Sequence, residues 1–339
     1  MPMHNLIVDV PGVRVGHADD SALASGVTVI LFEQPNAASA VTRGGAPGGR
    51  DVGLLEPEMT VQGVDAVVLS GGSAFGLDAA GGVMSFLREA GIGFNVGGTV
   101  VPIVAQAICF DLLNGGEKRW GRKPPYWDFG HAAASAASAV PFQLGTVGGG
   151  YGATTATMKG GLGSASAVTA AGIRVGAIVV VNAIGTATVG NGPHFWAASV
   201  EREAEFGGLG FPANVSPGDL TLRTKSGGPP STTIALIATD AALTKPEVRR
   251  LAHMADDGLA RAIRPAHAPM DGDTVFAVAT QRQTNRGGPA GLTEIGLLAA
   301  DCLARAIARG VYAATALPFP AALPAWRDKF GALTQREFP

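Results

Sequence analysis

"GGPPSTTIALIATDA", residues 227–241, decides how the rest of the chain is read. Two glycines and two prolines interrupt any regular structure, three hydroxyls follow at Ser231, Thr232 and Thr233, and the apolar run 234–238 then reads as a buried strand. Serine and threonine suit turn exits, so the hydroxyl run has a purely local explanation, and the flanking elements must decide whether it has another. Beyond the strand, Thr244 stands where a helix cap belongs. Pro246 lies in the first turn and Glu247 falls three residues after the threonine, the pattern of a capping box. Val248, Leu251, Ala252, Ala255, Leu259 and Ile263 recur at helical spacing, so strand 232–239 runs into a helix over about 244–263.

The same strand-then-helix grammar recurs. Strands are predicted at 26–32, 64–70, 174–182 and 274–280, each rich in Val, Ile or Thr and bounded by Gly or Pro. A second helix spans roughly 289–308, with Leu292, Ile295, Ala299, Cys302 and Ala306 on one face, and a third spans 76–90, ending at Gly91. Strands alternating with helices predict an α/β layered fold. Composition marks no internal boundary, so residues 1–339 are taken as a single domain, with 200–231 as its loosest connection. The 49 glycines cluster at the ends of apolar runs and suggest many tight turns.

Composition narrows the function. The 339 residues are 47% hydrophobic and only 15% charged, with a net charge of −2 and no basic run, so nucleic acid is not an expected partner. No segment approaches eighteen uninterrupted apolar residues and no leader pattern opens the chain, so a cytoplasmic protein without a membrane partner is expected. Cys109 and Cys302 lie far apart and the six histidines lack metal spacing, which predicts no disulfide framework, metal site or cofactor. Low charge beside high apolar content suggests a homo-oligomer.

Individual motifs are ambiguous. "LSGGSAFGLDAAGGV" (69–83) presents Ser73 between a strand and a helix, but a nucleophile elbow needs glycine where Phe75 stands; a turn whose hydroxyl caps helix 76–90, or one that binds an anion, fits better. "KGGLGSAS" (159–166) begins with Lys159 in uncharged surroundings, and Gly160, where a phosphate loop needs Ser or Thr, argues against such a loop. Lys159 is either a solvated loop residue or, if buried, a base or nucleophile-orienting group. Asn182 closes "VVVNAIG" (179–185) as a turn former or an oxyanion donor. Asp271 and Asp273 flank Gly272 ahead of a strand, and two like charges so close call for a cation or amine between them. His194, His253 and His267 are weaker acid/base candidates.

Taken in order, VPGVRVGH, RGGAPG, LSGGSAFGLDAAGGV, KGGLGSAS, VVVNAIG, STTIALIATDAALTK and DGDTVFAVAT resemble the DmpA-like N-terminal-nucleophile peptidases across nearly the whole chain. That group holds L-aminopeptidase/D-esterases, β-peptidyl aminopeptidases and nylon-oligomer hydrolases. The resemblance implies a four-layered α-β-β-α sandwich, shared with ornithine acetyltransferases. It also implies a precursor that cuts itself into a large fragment, 1–231, and a small one, 232–339, which stay together and associate into a homo-oligomer, a tetramer of processed heterodimers. Thr232 then takes the nucleophile's position, attacking the Ser231 carbonyl to free itself as a new N-terminus. A free α-amino group, with a pKa near 8, can serve as base for its own hydroxyl, whereas a threonine inside an intact chain has no such amine. By the same resemblance Lys159 supports the nucleophile, Asn182 stabilises the oxyanion, and Asp271 and Asp273 hold Lys159 or the new ammonium. Ser231 departs from the Asn or Gly usual before the nucleophile, and its stiff Pro-Pro approach predicts slow self-cleavage. The implied activity is hydrolysis of a small peptide or amide through a Thr232 acyl-enzyme. An uncleaved binding protein of the same fold, or an acyltransferase, is the alternative.

Overall fold

The computed structural model describes residues 3–225, 230–285 and 287–333. Among these the strands are β1 (Val13–Asp20), β2 (Ser25–Thr42), β3 (Gly49–Arg50), β4 (Gly63–Ser70), β5 (Phe94–Val96), β6 (Thr99–Val101), β7 (Val104–Ile108), β8 (Gly161–Val168), β9 (Arg174–Asn182), β10 (Thr232–Ala242) and β11 (Thr274–Thr284). The helices are α1 (Ala79–Glu89), α2 (Tyr126–Ser135), α3 (Lys245–Ala262), α4 (Gly288–Ala313) and α5 (Trp326–Phe330). Residues 227–229 of the opening stretch lie outside the described residues.

Hydrogen bonding links the strands in the order β3-β7-β4-β2-β11-β10-β9-β8, with β1 on β2 and β5–β6 a separate hairpin. β2 is long enough to serve two layers. Its first half pairs with β1 and β4, its second half pairs with β11, and the register shifts between Leu31 and Asn36. Side chains alternate across a strand, so each strand supplies two different cores. Val27, Val29, Leu31, Ala66 and Val68 face α1 and α2, whereas Ile30, Phe32, Val67 and Leu69 meet Ile178, Val180, Ile234, Leu236 and Phe276 between the two sheet halves. Val179, Val181, Ala235, Ile237 and Val275 turn the other way onto α3 and α4. The four layers are therefore α-β-β-α, as the resemblance implied. β10 is buried along nearly its whole length because both of its faces are covered.

The Thr244 capping box is present at the N-terminus of α3, where Glu247 Oε2 accepts the Thr244 N–H at 2.8 Å. Several glycines act by absence of bulk and not as turns: a Cβ on Gly163 in β8 would sit 1.8 Å from the Ala306 carbonyl, so α4 lies directly on that strand. Ser73 does not cap α1. It is the first residue of a 3-10 turn, Ser73–Asp78, at φ +53, and α1 begins only after that turn, with Asp78 at its cap position. The turn meets the chain's own Asp111 carboxyl group, whose Oδ1 accepts the Gly72 N–H at 2.7 Å. No helix or strand other than a 3-10 turn at Trp196–Val200 occupies the described part of 196–231, in keeping with a loose connection. Strands 13–20, 161–168 and 104–108 and helix α2 have no counterpart in the sequence reading.

Candidate active site

Register brings the site together. Thr232 begins β10 directly opposite Asn182, the last residue of antiparallel β9. On the other side, parallel β11 pairs Thr274 with Ile234, and Ser231 bridges Asp271, which sets the Asp271–Gly272–Asp273 turn beside the hydroxyl run. Lys159 immediately precedes Gly160 and β8, beyond β9. Cys109, Phe110 and Asp111 leave the end of β7 in the opposing sheet half. Thr232 and Asn182 share the alternation of Ile234, Leu236, Ile178 and Val180, so both point into the space between the sheet halves, at its open end.

In the uncut chain the Ser231 carbonyl oxygen is held from two sides. It accepts the Gly272 N–H at 2.9 Å, and Thr232 Oγ1 donates to it in a very short contact. Gly272 leaves the hydroxyl its room: a Cβ there would come within 2.8 Å of Thr232 Oγ1. Thr232 is 3% exposed, while Pro230 lines the neighbouring cleft.

Asp273 is the anchor of the turn. Its Oδ1 accepts the Thr233 N–H at 2.7 Å, and its Oδ2 accepts both the backbone N–H and Nδ1 of His267 at 3.0 Å. Asp271 Oδ2 accepts the Ala268 N–H at 3.0 Å. Burial, and then the nearby Asp273 carboxylate, push Asp271 up to about 6. Neither acid holds Lys159, the first of the two roles expected of them; the second, holding the amine freed at Thr232, concerns the cut chain. β10 and β9 lie between the acidic turn and the lysine.

Lys159 is buried, not a solvated loop residue, and its Nζ donates to the carbonyls of Gly150, Ala153 and Gly160 at 2.9–3.1 Å. Burial pushes its ammonium down to about 7 against the opposing pull of Asp111. Asn182 Nδ2 donates to the Phe110 carbonyl at 2.9 Å, and its Oδ1 accepts the Thr154 N–H at 3.0 Å. His267 joins the site as a partner of Asp273, whereas His194 bonds the Gly210 carbonyl.

Two charged groups were missed. Lys225 Nζ donates to Asn182 Oδ1 at 3.0 Å and to the Asn182 carbonyl at 3.2 Å. Asp111, whose Oδ2 accepts the Ser25 hydroxyl at 2.6 Å, is raised by burial. Asp111 has a sequence signal, as the only acid between Glu89 and Glu117; Lys225 sits in a loop with none. Both line a cleft of about 240 Å³ together with Lys159, Thr154 and Asn114. Leu317, Pro320 and Leu323, from the segment after α4, form its apolar wall.

The model of peptidase family S58 matches residues 5–322. An uncharacterised aminopeptidase of Mycobacterium tuberculosis is 44% identical over 96% of this chain and 98% of its own length. A 6-aminohexanoate-oligomer endohydrolase of an Agromyces species is 29% identical over 80% of this chain and 74% of its own. Among solved structures, a Burkholderia β-aminopeptidase superposes with a TM-score of 0.69 at 23% identity, covering 99% of this chain and 96% of that one. The L-aminopeptidase D-Ala-esterase/amidase of Ochrobactrum anthropi, described as a variant of the Ntn-hydrolase fold, gives 0.67 at 20% identity, covering 96% and 94%. The chain belongs to peptidase family S58, and is a hydrolase of peptide or amide bonds.

Proposed function

We propose that this hydrolase matures by cutting its own Ser231–Thr232 bond and then uses Thr232 as an N-terminal nucleophile. The carrying observation is the Ser231 carbonyl, held between the Thr232 hydroxyl and the Gly272 N–H. Attack of Oγ1 on the carbonyl carbon places negative charge on that oxygen, where the Gly272 N–H already donates. Collapse breaks the C–N bond, the proton lost by the hydroxyl ends on the Thr232 nitrogen, and a Ser231 ester remains on Oγ1. Water hydrolyses the ester, leaving a carboxylate on 1–231 and an amine on 232–339. That amine serves as base for the hydroxyl in each later turnover, when the substrate carbonyl carbon forms an ester on Oγ1 and its amine departs.

In turnover Asn182 supplies the donor to the substrate oxyanion, and Lys159 places a buried amine near the reacting groups. Asp271 and Asp273 fix the turn that carries Gly272 and hold the start of β10. Departure of Pro230 and Ser231 from the catalytic position opens the cleft to a short peptide or amide. The relatives named as aminopeptidases and as oligomer hydrolases support that substrate class. Residues 1–339 act as one domain before and after the cut.

We place the enzyme in the cytoplasm as a homo-oligomer, a tetramer of processed heterodimers. The well-exposed Phe94 and Val96 of the β5–β6 hairpin support association. No helix among the described residues is long and apolar enough to cross a membrane.

Intact mass under denaturing conditions tests the reading. Dividing 34.2 kDa by residue count gives fragments of about 23 and about 11 kDa, the smaller beginning at Thr232. Thr232→Ala is expected to stay whole and inactive; a cut or active variant would sink the assignment.

A further inference from the structure

Lys225 serves neither the core nor a surface ion pair, yet its side chain is spent on one residue of the site. Its Nζ reaches Asn182 Oδ1 at 3.0 Å and the Asn182 carbonyl at 3.2 Å, while the Thr154 N–H converges on the same Oδ1 at 3.0 Å. Two donors on one oxygen settle which way the amide lies. Rotating it by half a turn would set its NH₂ against an ammonium and an N–H, so the oxygen is committed and the nitrogen faces the other way. Asn182 Nδ2 gives one proton to the Phe110 carbonyl, and among the described residues the second has no acceptor, so it is left to donate. A cation on Oδ1 also polarises the amide and strengthens that donor.

We propose that Lys225 is a positioning residue for the reaction, holding and polarising the Asn182 amide so that its free N–H meets the oxyanion. The inference rests on the reading of Asn182 as the oxyanion donor. Lys225 lies six residues ahead of Thr232's scissile neighbour Ser231, but its anchors lie upstream of the cut. Its own N–H donates to the Ile184 carbonyl at 3.1 Å, and Asn182 is on the same fragment. The arrangement therefore persists after Ser231–Thr232 is broken and acts in every turnover. Burial pushes the Lys225 ammonium down to about 8, against the opposing pull of Cys109, Asp271 and Asp111.

The test measures kcat and KM of the processed enzyme on a panel of aminoacyl p-nitroanilides, with self-cleavage followed by intact mass. Lys225→Met is expected to lower kcat by about tenfold to a hundredfold with KM changed by less than about twofold, part of the roughly 100- to 1,000-fold lost when an oxyanion donor is removed. Lys225→Arg, which keeps a cationic donor, is expected to recover most of it. In an Asn182→Ala background, Lys225→Met should cost nothing further. Unchanged kcat in Lys225→Met, or an undiminished effect of that substitution without Asn182, overturns the proposal. A wild-type chain that is uncut and inert, or an Asn182→Ala enzyme with full kcat, refutes instead the reading beneath it.

Discussion

A methyl group on Gly272 probes the site at its narrowest point. Built on the existing backbone, the Cβ of Gly272→Ala would lie 2.8 Å from Thr232 Oγ1, 2.9 Å from the Ala46 carbonyl oxygen and 3.2 Å from Pro47 Cα. Two of these contacts are to backbone and cannot rotate away, so the turn itself must retreat. Overpacking of this kind costs about 1–3 kcal/mol. The retreat draws the Gly272 N–H away from the Ser231 oxygen, now 2.9 Å distant. Losing an oxyanion donor outright slows acyl transfer by roughly 100- to 1,000-fold, so a partial loss together with a displaced hydroxyl should slow self-cleavage by at least about tenfold. Freshly synthesised wild-type and variant chains would be followed side by side by denaturing intact mass, with Thr232→Ala as the uncut reference. Gly53→Ala, where a Cβ would meet nothing within 4 Å, controls for the substitution itself. Thermal melting should fall by a few degrees in Gly272→Ala only. Cleavage of Gly272→Ala at the wild-type rate would show that the hydroxyl does not depend on this turn, and the proposed geometry of attack would be wrong.

Lys159→Met is expected to change how stability depends on pH. Burial takes Lys159 from 10.5 to about 7 in the folded chain, so between those values the unfolded state holds the extra proton and wild-type stability rises with pH; the variant should lack that share of the rise. Denaturant unfolding at pH 7, 8 and 9 reads it, and identical slopes for the two proteins would contradict a buried, destabilised ammonium. For Asp273→Asn the readout is His267. Burial works to lower its pKa, but the hydrogen bond to Asp273 and the charges of Asp256 and Asp273 outweigh that and hold it above its ordinary value. In the uncut Thr232→Ala background, Asp273→Asn should bring the His267 titration down in an NMR experiment; an unmoved midpoint would mean that Asp273 does not govern it.

The parts of the fold that could be read from the sequence are those whose signal is local. Strand 174–182 appears with the predicted limits and α3 within a residue or two, because apolar runs and a capping box need no tertiary context. β8 was missed because "GLGSASAV" is made mostly of small residues; it is set by its pairing with β9, and Gly163 lets α4 press onto it. β7 carries a buried glutamine, Gln106, whose Nε2 reaches Ser70 and the Gly76 carbonyl, so its pattern lacked the expected apolar alternation. At the site, Lys159 stood out as the only Lys, Arg, Asp or Glu between Asp128 and Arg174. Lys225 did not, since its meaning is the distance to Asn182, 43 positions away.

In the proposed mechanism, register also distinguishes the three consecutive hydroxyls. Thr232 and Thr233 differ by one residue, which in a strand means opposite faces. Thr232 has the alternation of Ile234 and Leu236 and enters the layer between the sheet halves, opposite Asn182. Thr233 has that of Ala235 and Ile237 and faces α3 and α4; its hydroxyl is buried with no hydrogen-bond partner among the described residues. Sliding β10 by one position to present Thr233 or Ser231 instead would send Ile234 and Leu236 to the helical side and Ala235 and Ile237 into the inter-sheet core, exchanging side chains along a strand packed on both faces. The core therefore holds the register and with it the placement of Thr232, the nucleophile of the proposed mechanism. Chemistry at residue 232 rests on packing at residues 234–238, which is why the hydroxyl run and the apolar run had to be read as one stretch.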